Sequence, residues 1–162
     1  MLRRMKLTQK TPKTPLQWDL PGVIKKAKMS QTTVKTVVAQ ARTAQVQFET
    51  ASQAVVDELI VGLAWAIIAP ETNRSLAKQA VLETGLGNVE DKIIKNHRKT
   101  LGLLRDLKNV FTCGIIRELP EKGLVEIARP VGVVGGVTPS TNPIATPLNK
   151  TINAIKGRNA II

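Results

Sequence analysis

The residues best suited to chemistry lie in one short polar segment, "TPSTNP", at positions 138–143. It follows the apolar run "VGVVGGV" and precedes a helical pattern, so we predict that a strand ends here. Hydroxyl and amide side chains at the carboxyl end of a parallel strand are typical of ligand sites in α/β proteins. Asn142 and Pro143 also match a helix N-cap and first helical position. A plain strand-to-helix connection is therefore an equal alternative.

The other candidate residues favour structural roles. Cys113, the only cysteine, lies in "FTCGII", a predicted strand with no adjacent histidine or helix N-terminus to activate a thiol, so we interpret it as a small buried side chain. His97, the only histidine, lies in "KNHRK", which is more typical of a solvated helix face than of a phosphate site. Glu83 is expected to fix a helix end. No cysteine and histidine spacing fits a metal, and none is expected.

A helical layer is predicted before residue 109. Helices are expected from about Thr33, Gln53 and Glu71, and a fourth follows the break "ETGLGN". Gly85 suits a left-handed helix end, and Asn88 suits the N-cap of the fourth helix. Periodicity predicts that the fourth helix turns one apolar set inward, comprising Ile93, Ile94, Leu101, Leu104 and Leu107.

Strand patterns follow the helical layer. "PEKG" separates two Val- and Ile-rich runs, which predicts a β-hairpin arm over about 111–129. Next come the strand "VGVVGGVT", a helix from Pro143 to about Lys156, and the strand start "GRNAII", which together form a βαβ unit. The predicted fold is therefore α/β. One crossover leaves strand edges and a sheet face uncovered, so we expect the front part of a longer α/β protein.

Charge and composition narrow the function classes. The chain has 162 residues and a net charge of +12, and residues 1–30 hold eight of the 24 Lys and Arg but one acid. We interpret residues 1–30 as a basic, disordered extension. Aromatic residues make up 2% of the chain, which argues against nucleic-acid binding. The longest apolar stretch is too short to span a bilayer. A single cysteine favours a reducing, cytoplasmic setting.

The segment from Arg129 to Ile162, "RPVGVVGGVTPSTNPIATPLNKTINAIKGRNAII", resembles the start of the cofactor-binding domain of the aldehyde dehydrogenase superfamily. "ETGLGNVEDKIIKN" followed by the hairpin is similar to its CoA-acylating branch. The resemblance covers residues 31–162 and implies an incomplete Rossmann-like domain, NAD or NADP as cofactor, and CoA and a small aldehyde as substrates. It implies that Asn142 is an oxyanion donor and that four residues bind the cofactor: Thr138, Pro139, Ser140 and Thr141.

The resemblance also implies what this chain does alone. The nucleophilic cysteine of the family is expected beyond position 162, so the chain is interpreted as an N-terminal fragment that is inactive by itself. The hairpin resembles the arm through which family members pair sheets between subunits, which implies a homo-oligomer. The first alternative is a non-catalytic, truncated paralogue that acts as an interaction module. The second is a basic nucleic-acid-binding protein. The aldehyde and the choice between NAD and NADP are not set by these residues, although sulfoacetaldehyde is favoured.

Overall fold

The computed structural model describes residues 34–162. Four helices come first and form the predicted helical layer: α1 (Val34–Phe48), α2 (Gln53–Ile68), α3 (Pro70–Thr84) and α4 (Val89–Leu107). The predicted basic extension, and its boundary at residue 31, lie outside the described residues. In this part of the chain no single helix is both long enough and apolar enough to cross a bilayer, although α2 and α3 meet that criterion as a pair bent by 61°.

Local signals in the sequence set the helix ends. The Ser52 side chain accepts a bond from the Val55 amide at 3.4 Å and caps α2, and Pro70 is the first residue of α3. Gly85 ends α3 in the left-handed region with φ of 65°, where a side chain would be strained. Asn88 caps α4, because its Oδ1 accepts from the Asp91 amide at 2.9 Å. The predictions for Gly85 and Asn88 are confirmed.

Two small sheets follow the helical layer. In the hairpin, β1 (Gly114–Leu119) pairs antiparallel with β2 (Leu124–Ala128). Then β3 (Val133–Val134), α5 (Ala145–Lys156) and β4 (Ala160–Ile161) form the βαβ unit, with β3 and β4 parallel. The predicted α/β order of helical layer, hairpin arm and first βαβ unit is confirmed.

The core joins the helical layer to the crossover helix. Ile60, Ala64 and Ile68 lie on successive turns of α2 and pack against Leu148 and Ile152 of α5. Side chains at spacings of four residues share one face of a helix, so this contact fixes how α5 lies against α2. Since α5 begins just after the polar segment "TPSTNP", the core also fixes where that segment leaves the sheet.

The buried face of α4 differs from the prediction. Ile94 and Leu101 are exposed, and the buried residues are Lys92, Asn96 and Thr100. Leu104 and Leu107 pack against the core as predicted, so the prediction was wrong for Ile94 and Leu101 and missed three polar residues that also recur every four positions. Asn96 is turned inward because its Nδ2 donates to Oδ1 of the buried Asn73 at 2.7 Å.

β3 and α5 also differ in extent from the prediction. The strand predicted over "VGVVGGVT" is regular only at Val133–Val134, although the Gly136 amide still donates to the carbonyl of Ile162 at 2.6 Å. The helix predicted from Pro143 begins at Ala145. A turn precedes the helix, in which the Asn142 amide donates to the carbonyl of Pro139 at 3.2 Å.

Candidate functional site

The segment 138–143, called the elbow below, leaves the carboxyl end of β3 and is stabilised as a turn. Ser140 and Thr141 occupy the two central positions, between the Pro139 carbonyl and the Asn142 amide. The residues from Thr138 to Thr141 are exposed. Lys150 of α5 donates to the carbonyl of Val137 at 2.6 Å and fixes the chain just before the elbow. The predicted site residues therefore share one exposed turn at the end of a parallel strand.

The Asn142 side chain does not cap α5, which corrects its predicted local role. The N-cap position belongs to Ile144, and α5 has no side-chain cap. Asn142 is half-buried, with its Oδ1 buried and without a hydrogen-bond partner. Its Nδ2 makes no hydrogen bond within residues 34–162, so the amide group is free to donate to a ligand.

A cleft of about 150 Å³ lies between the elbow and the start of α4, and we call it the elbow cleft. It is lined by Leu86, Gly87, Asn88, Asp91, Lys92, Lys95 and Thr141. Lys95 Nζ donates to the carbonyl of Thr141 at 3.4 Å and so joins α4 to the elbow. Burial, together with the ammonium groups of Lys92 and Lys99, lowers the pKa of Lys95.

A second cleft, of about 230 Å³, lies on the other side of the elbow, at the carboxyl ends of β3 and β4. Its lining residues are Gly136, Thr138, Pro147, Lys150, Thr151, Ile161 and Ile162. A side chain at Gly136 would place its Cβ 3.1 Å from Ile161 Cδ1, so glycine allows the close approach of the two strands there. The carboxyl ends of adjacent parallel strands are where α/β folds bind nucleotides, which suits a cofactor beside Thr138.

The remaining candidate residues lie away from these clefts. Cys113 is half-buried immediately before β1, not within a strand as predicted, and lines neither cleft. Glu83 is exposed in the last turn of α3 and accepts from Gln79 Nε2 at 2.7 Å. Within residues 34–162, no group of three His, Cys, Asp or Glu side chains is arranged to hold a metal ion.

The segment "KNHRK" was only partly predicted correctly. Arg98 and Lys99 are exposed, but His97 and Lys95 are half-buried and Asn96 is buried. Sequence reasoning missed Lys92 and Lys95 as cleft residues. Their separation of three positions on one helix, just after the Asn88 cap, was the available signal, because such residues share a face.

Known proteins resemble this chain at the level of both sequence and structure. The chain is 56% identical over 139 residues to a sulfoacetaldehyde dehydrogenase (acylating) of Cupriavidus necator, which covers 86% of this chain and 28% of that protein. No family model matches. An acetylating aldehyde dehydrogenase from Geobacillus thermoglucosidasius has a TM-score of 0.72 and 42% identity over 78% of this chain and 28% of its own.

A third similar protein was solved with a ligand. It is the propionaldehyde dehydrogenase of Rhodopseudomonas palustris with bound propionyl-CoA, with a TM-score of 0.64 and 30% identity, over 78% of this chain and 27% of its own. The chain thus spans little more than a quarter of the length of the proteins it matches. Together with the observed order of helical layer, hairpin and βαβ unit, these similarities identify the chain as an N-terminal portion belonging to the CoA-acylating branch of the aldehyde dehydrogenase superfamily.

Proposed function

We propose that this chain forms the N-terminal part of an NAD(P)-dependent, CoA-acylating aldehyde dehydrogenase, which converts an aldehyde, CoA and NAD(P)⁺ to an acyl-CoA and NAD(P)H. The observation that carries the proposal is the exposed elbow at the carboxyl end of β3, with the unpaired side-chain amide of Asn142 at its end. The nicotinamide, when bound, accepts the hydride that the aldehyde carbon loses. The similarity to a sulfoacetaldehyde dehydrogenase favours sulfoacetaldehyde as the aldehyde.

In that reaction, the residues of this chain bind the cofactor and polarise the aldehyde carbonyl. Thr138 borders the cleft at the strand ends and contacts the cofactor, and Pro139, Ser140 and Thr141 extend that surface across the turn. Nδ2 of Asn142 donates to the aldehyde oxygen while negative charge develops on it. Such a pre-positioned donor typically accelerates a reaction by about 10²–10³.

The nucleophilic thiol in this proposal comes from outside residues 1–162. Cys113 is half-buried at the base of the hairpin and lines neither of the two clefts beside the elbow. Thr112 Oγ1 lies 4.0 Å from Cys113 Sγ. The same hydroxyl donates a hydrogen bond to the carbonyl of Lys156. Cys113 therefore lies beside the point where Thr112 joins the start of the hairpin to the end of α5.

A chimaera tests this proposal directly. Residues 31–162 of this chain replace the matching part of the Cupriavidus necator enzyme, and CoA-dependent oxidation of sulfoacetaldehyde is measured. The chimaera is expected to be active, and the Cys113→Ser chimaera is expected to match it. The 162-residue chain alone is expected to be inactive. A folded but inactive chimaera, or activity of the chain alone that disappears in Cys113→Ser, would contradict the proposal.

The hairpin favours a role in assembly as well. Five of its large apolar side chains are between 42% and 57% exposed: Ile115, Ile116, Leu124, Val125 and Ile127. An isolated two-stranded hairpin is at best marginally stable in water, and further strands or a packed helix are needed to stabilise it. We propose that the hairpin pairs with another copy of the chain or with a longer relative. The alternative interaction-module function would use this same surface without catalysis.

A further inference from the structure

The elbow cleft is lined by a buried lysine that has no carboxylate partner among the described residues. Lys92 is 5% exposed, and it forms no ion pair within residues 34–162. Removing a lysine ammonium from water costs free energy unless a counter-charge or hydrogen bonds replace the lost hydration. Since Lys92 lines the elbow cleft, the cleft is where a counter-charge can approach it.

A second cation lies one turn further along α4. Lys95 is half-buried, lines the same cleft and has the Thr141 carbonyl as its hydrogen-bond acceptor. Desolvation by burial, together with the ammonium groups of Lys92 and Lys99, lowers the pKa of Lys95. An anion between Lys92 and Lys95 would relieve both effects.

The remaining polar groups of the cleft leave a net positive charge. Asp91 is its one acid, and an Asp91 oxygen accepts from Asn88 Nδ2 at 2.6 Å. The first turn of α4 adds partial positive charge at the same place. Two lysines and a helix N-terminus thus oppose one carboxylate that already has a partner.

We propose that the elbow cleft binds a tetrahedral oxyanion, either the sulfonate of the aldehyde or a phosphate of CoA, through Lys92 and Lys95. The choice of these two ligands rests on the proposed function, whereas the binding of an oxyanion by the two lysines does not. The volume of about 150 Å³ accommodates a sulfonate or phosphate group, and the contact between Lys95 and Thr141 holds that group beside the elbow. The site therefore anchors the charged end of a substrate whose reactive end lies at Asn142.

Direct binding to the 162-residue chain tests the site. CoA and isethionate, an unreactive sulfonate, are titrated separately while the amide resonances of Gly87 and Lys95 are followed by NMR. We expect at least one ligand to shift these resonances, and its dissociation constant to rise about tenfold in Lys95→Gln. Lys78→Gln, which removes an exposed lysine of α3, is the matched control and should leave that constant unchanged.

Comparison of the CoA titration with the isethionate titration identifies the source of the anion. Loss of CoA affinity alone in Lys95→Gln identifies a phosphate, and loss of isethionate affinity alone identifies a sulfonate. Lys92→Gln, checked for folding by circular dichroism, should weaken the same ligand. The proposal is overturned if neither ligand shifts Gly87 or Lys95, or if Lys78→Gln weakens binding as much as Lys95→Gln. Because no turnover is needed, this result is independent of the activity of the chimaera.

Discussion

Asn96 on α4 donates a 2.7 Å hydrogen bond from Nδ2 to Oδ1 of Asn73 on α3, and the two side chains are 1% and 0% exposed. Asn73 in turn donates to the carbonyl of Ile93 at 3.2 Å. This buried amide pair, together with the packing of Leu103, Leu104 and Leu107 against the core, sets the rotation of α4. That rotation turns Lys92 toward the elbow cleft and leaves Ile94 exposed.

The first prediction concerns this pair. Asn96→Ala removes the donor and leaves Oδ1 of Asn73 buried without a partner, which should cost about 1–3 kcal/mol of unfolding free energy. Urea denaturation of the 162-residue chain measures the loss. Gln79→Ala, on the exposed face of α3, is the control and should change stability by less than about 0.5 kcal/mol. Equal losses in the two variants would show that the pair does not position α4.

The second prediction concerns the ion pair between α2 and α5. The Lys156 side chain is 3% exposed and donates to Asp57, which is 46% exposed. Asp57→Asn leaves a buried ammonium without its counter-charge, and should cost about 1–3 kcal/mol, less than a fully buried pair because water reaches Asp57. Lys156→Met should cost less than Asp57→Asn, since the remaining carboxylate is hydrated. The opposite order in thermal unfolding would refute this explanation.

The third prediction concerns pH. Arg117 forms a bidentate pair with Glu126 across the hairpin, and this hydrogen bonding lowers the pKa of the Glu126 carboxyl from its usual 4.5. A lowered folded-state pKa stabilises the chain above the unfolded-state value, and that stability is lost as the pH falls through the lowered pKa. Glu126→Gln should therefore be less stable than the natural chain near pH 7, and the difference should shrink below pH 4.5.

Carboxylate NMR titration checks the same prediction independently. Glu126 in the natural chain should have a lower pKa than Glu126 in an Arg117→Gln chain. Because both side chains are exposed, salt should reduce the difference between the two titrations. A titration of Glu126 that is unchanged by Arg117→Gln would count against the pairing.

The fourth prediction concerns assembly through the hairpin. Ile127→Asp places a charge among the exposed apolar residues of β2 and should shift the chain toward monomers in sedimentation velocity. Leu82→Asp changes an equally apolar, exposed residue on α3 and should leave the assembly unchanged. If the natural chain is a monomer at all concentrations, or if both variants dissociate alike, the hairpin is not the assembly surface.

The sequence predicted those features that short-range chemistry controls. The Asn88 cap and the left-handed Gly85 were predictable because each satisfies a local backbone requirement. The inward face of α4 was predicted only in part, since Asn96 is held inward by an amide partner, Asn73, that lies 23 positions away. The start of α5 was also displaced, from Pro143 to Ala145, and a turn between the Pro139 carbonyl and the Asn142 amide precedes it.

The sequence predicted the segment that carries the candidate site, but not the residues of α4 that line the cleft beside it. Residues from Thr138 to Asn142 were identified by type and by their place after a strand. Lys92 and Lys95 were assigned to no site, because charged residues on a helix are usually solvated. Only the packing of α4 against the elbow brings Lys95 to the Thr141 carbonyl.

The turnover number of the chimaera with Asn142→Ala tests the central claim most directly. If Nδ2 of Asn142 is the oxyanion donor, kcat should fall by about 10²–10³. Thr141→Ala, which alters the neighbouring exposed side chain and keeps the turn, should lower kcat much less. A chimaera whose kcat is unchanged by Asn142→Ala, or is lowered more by Thr141→Ala, would contradict the assignment of the elbow.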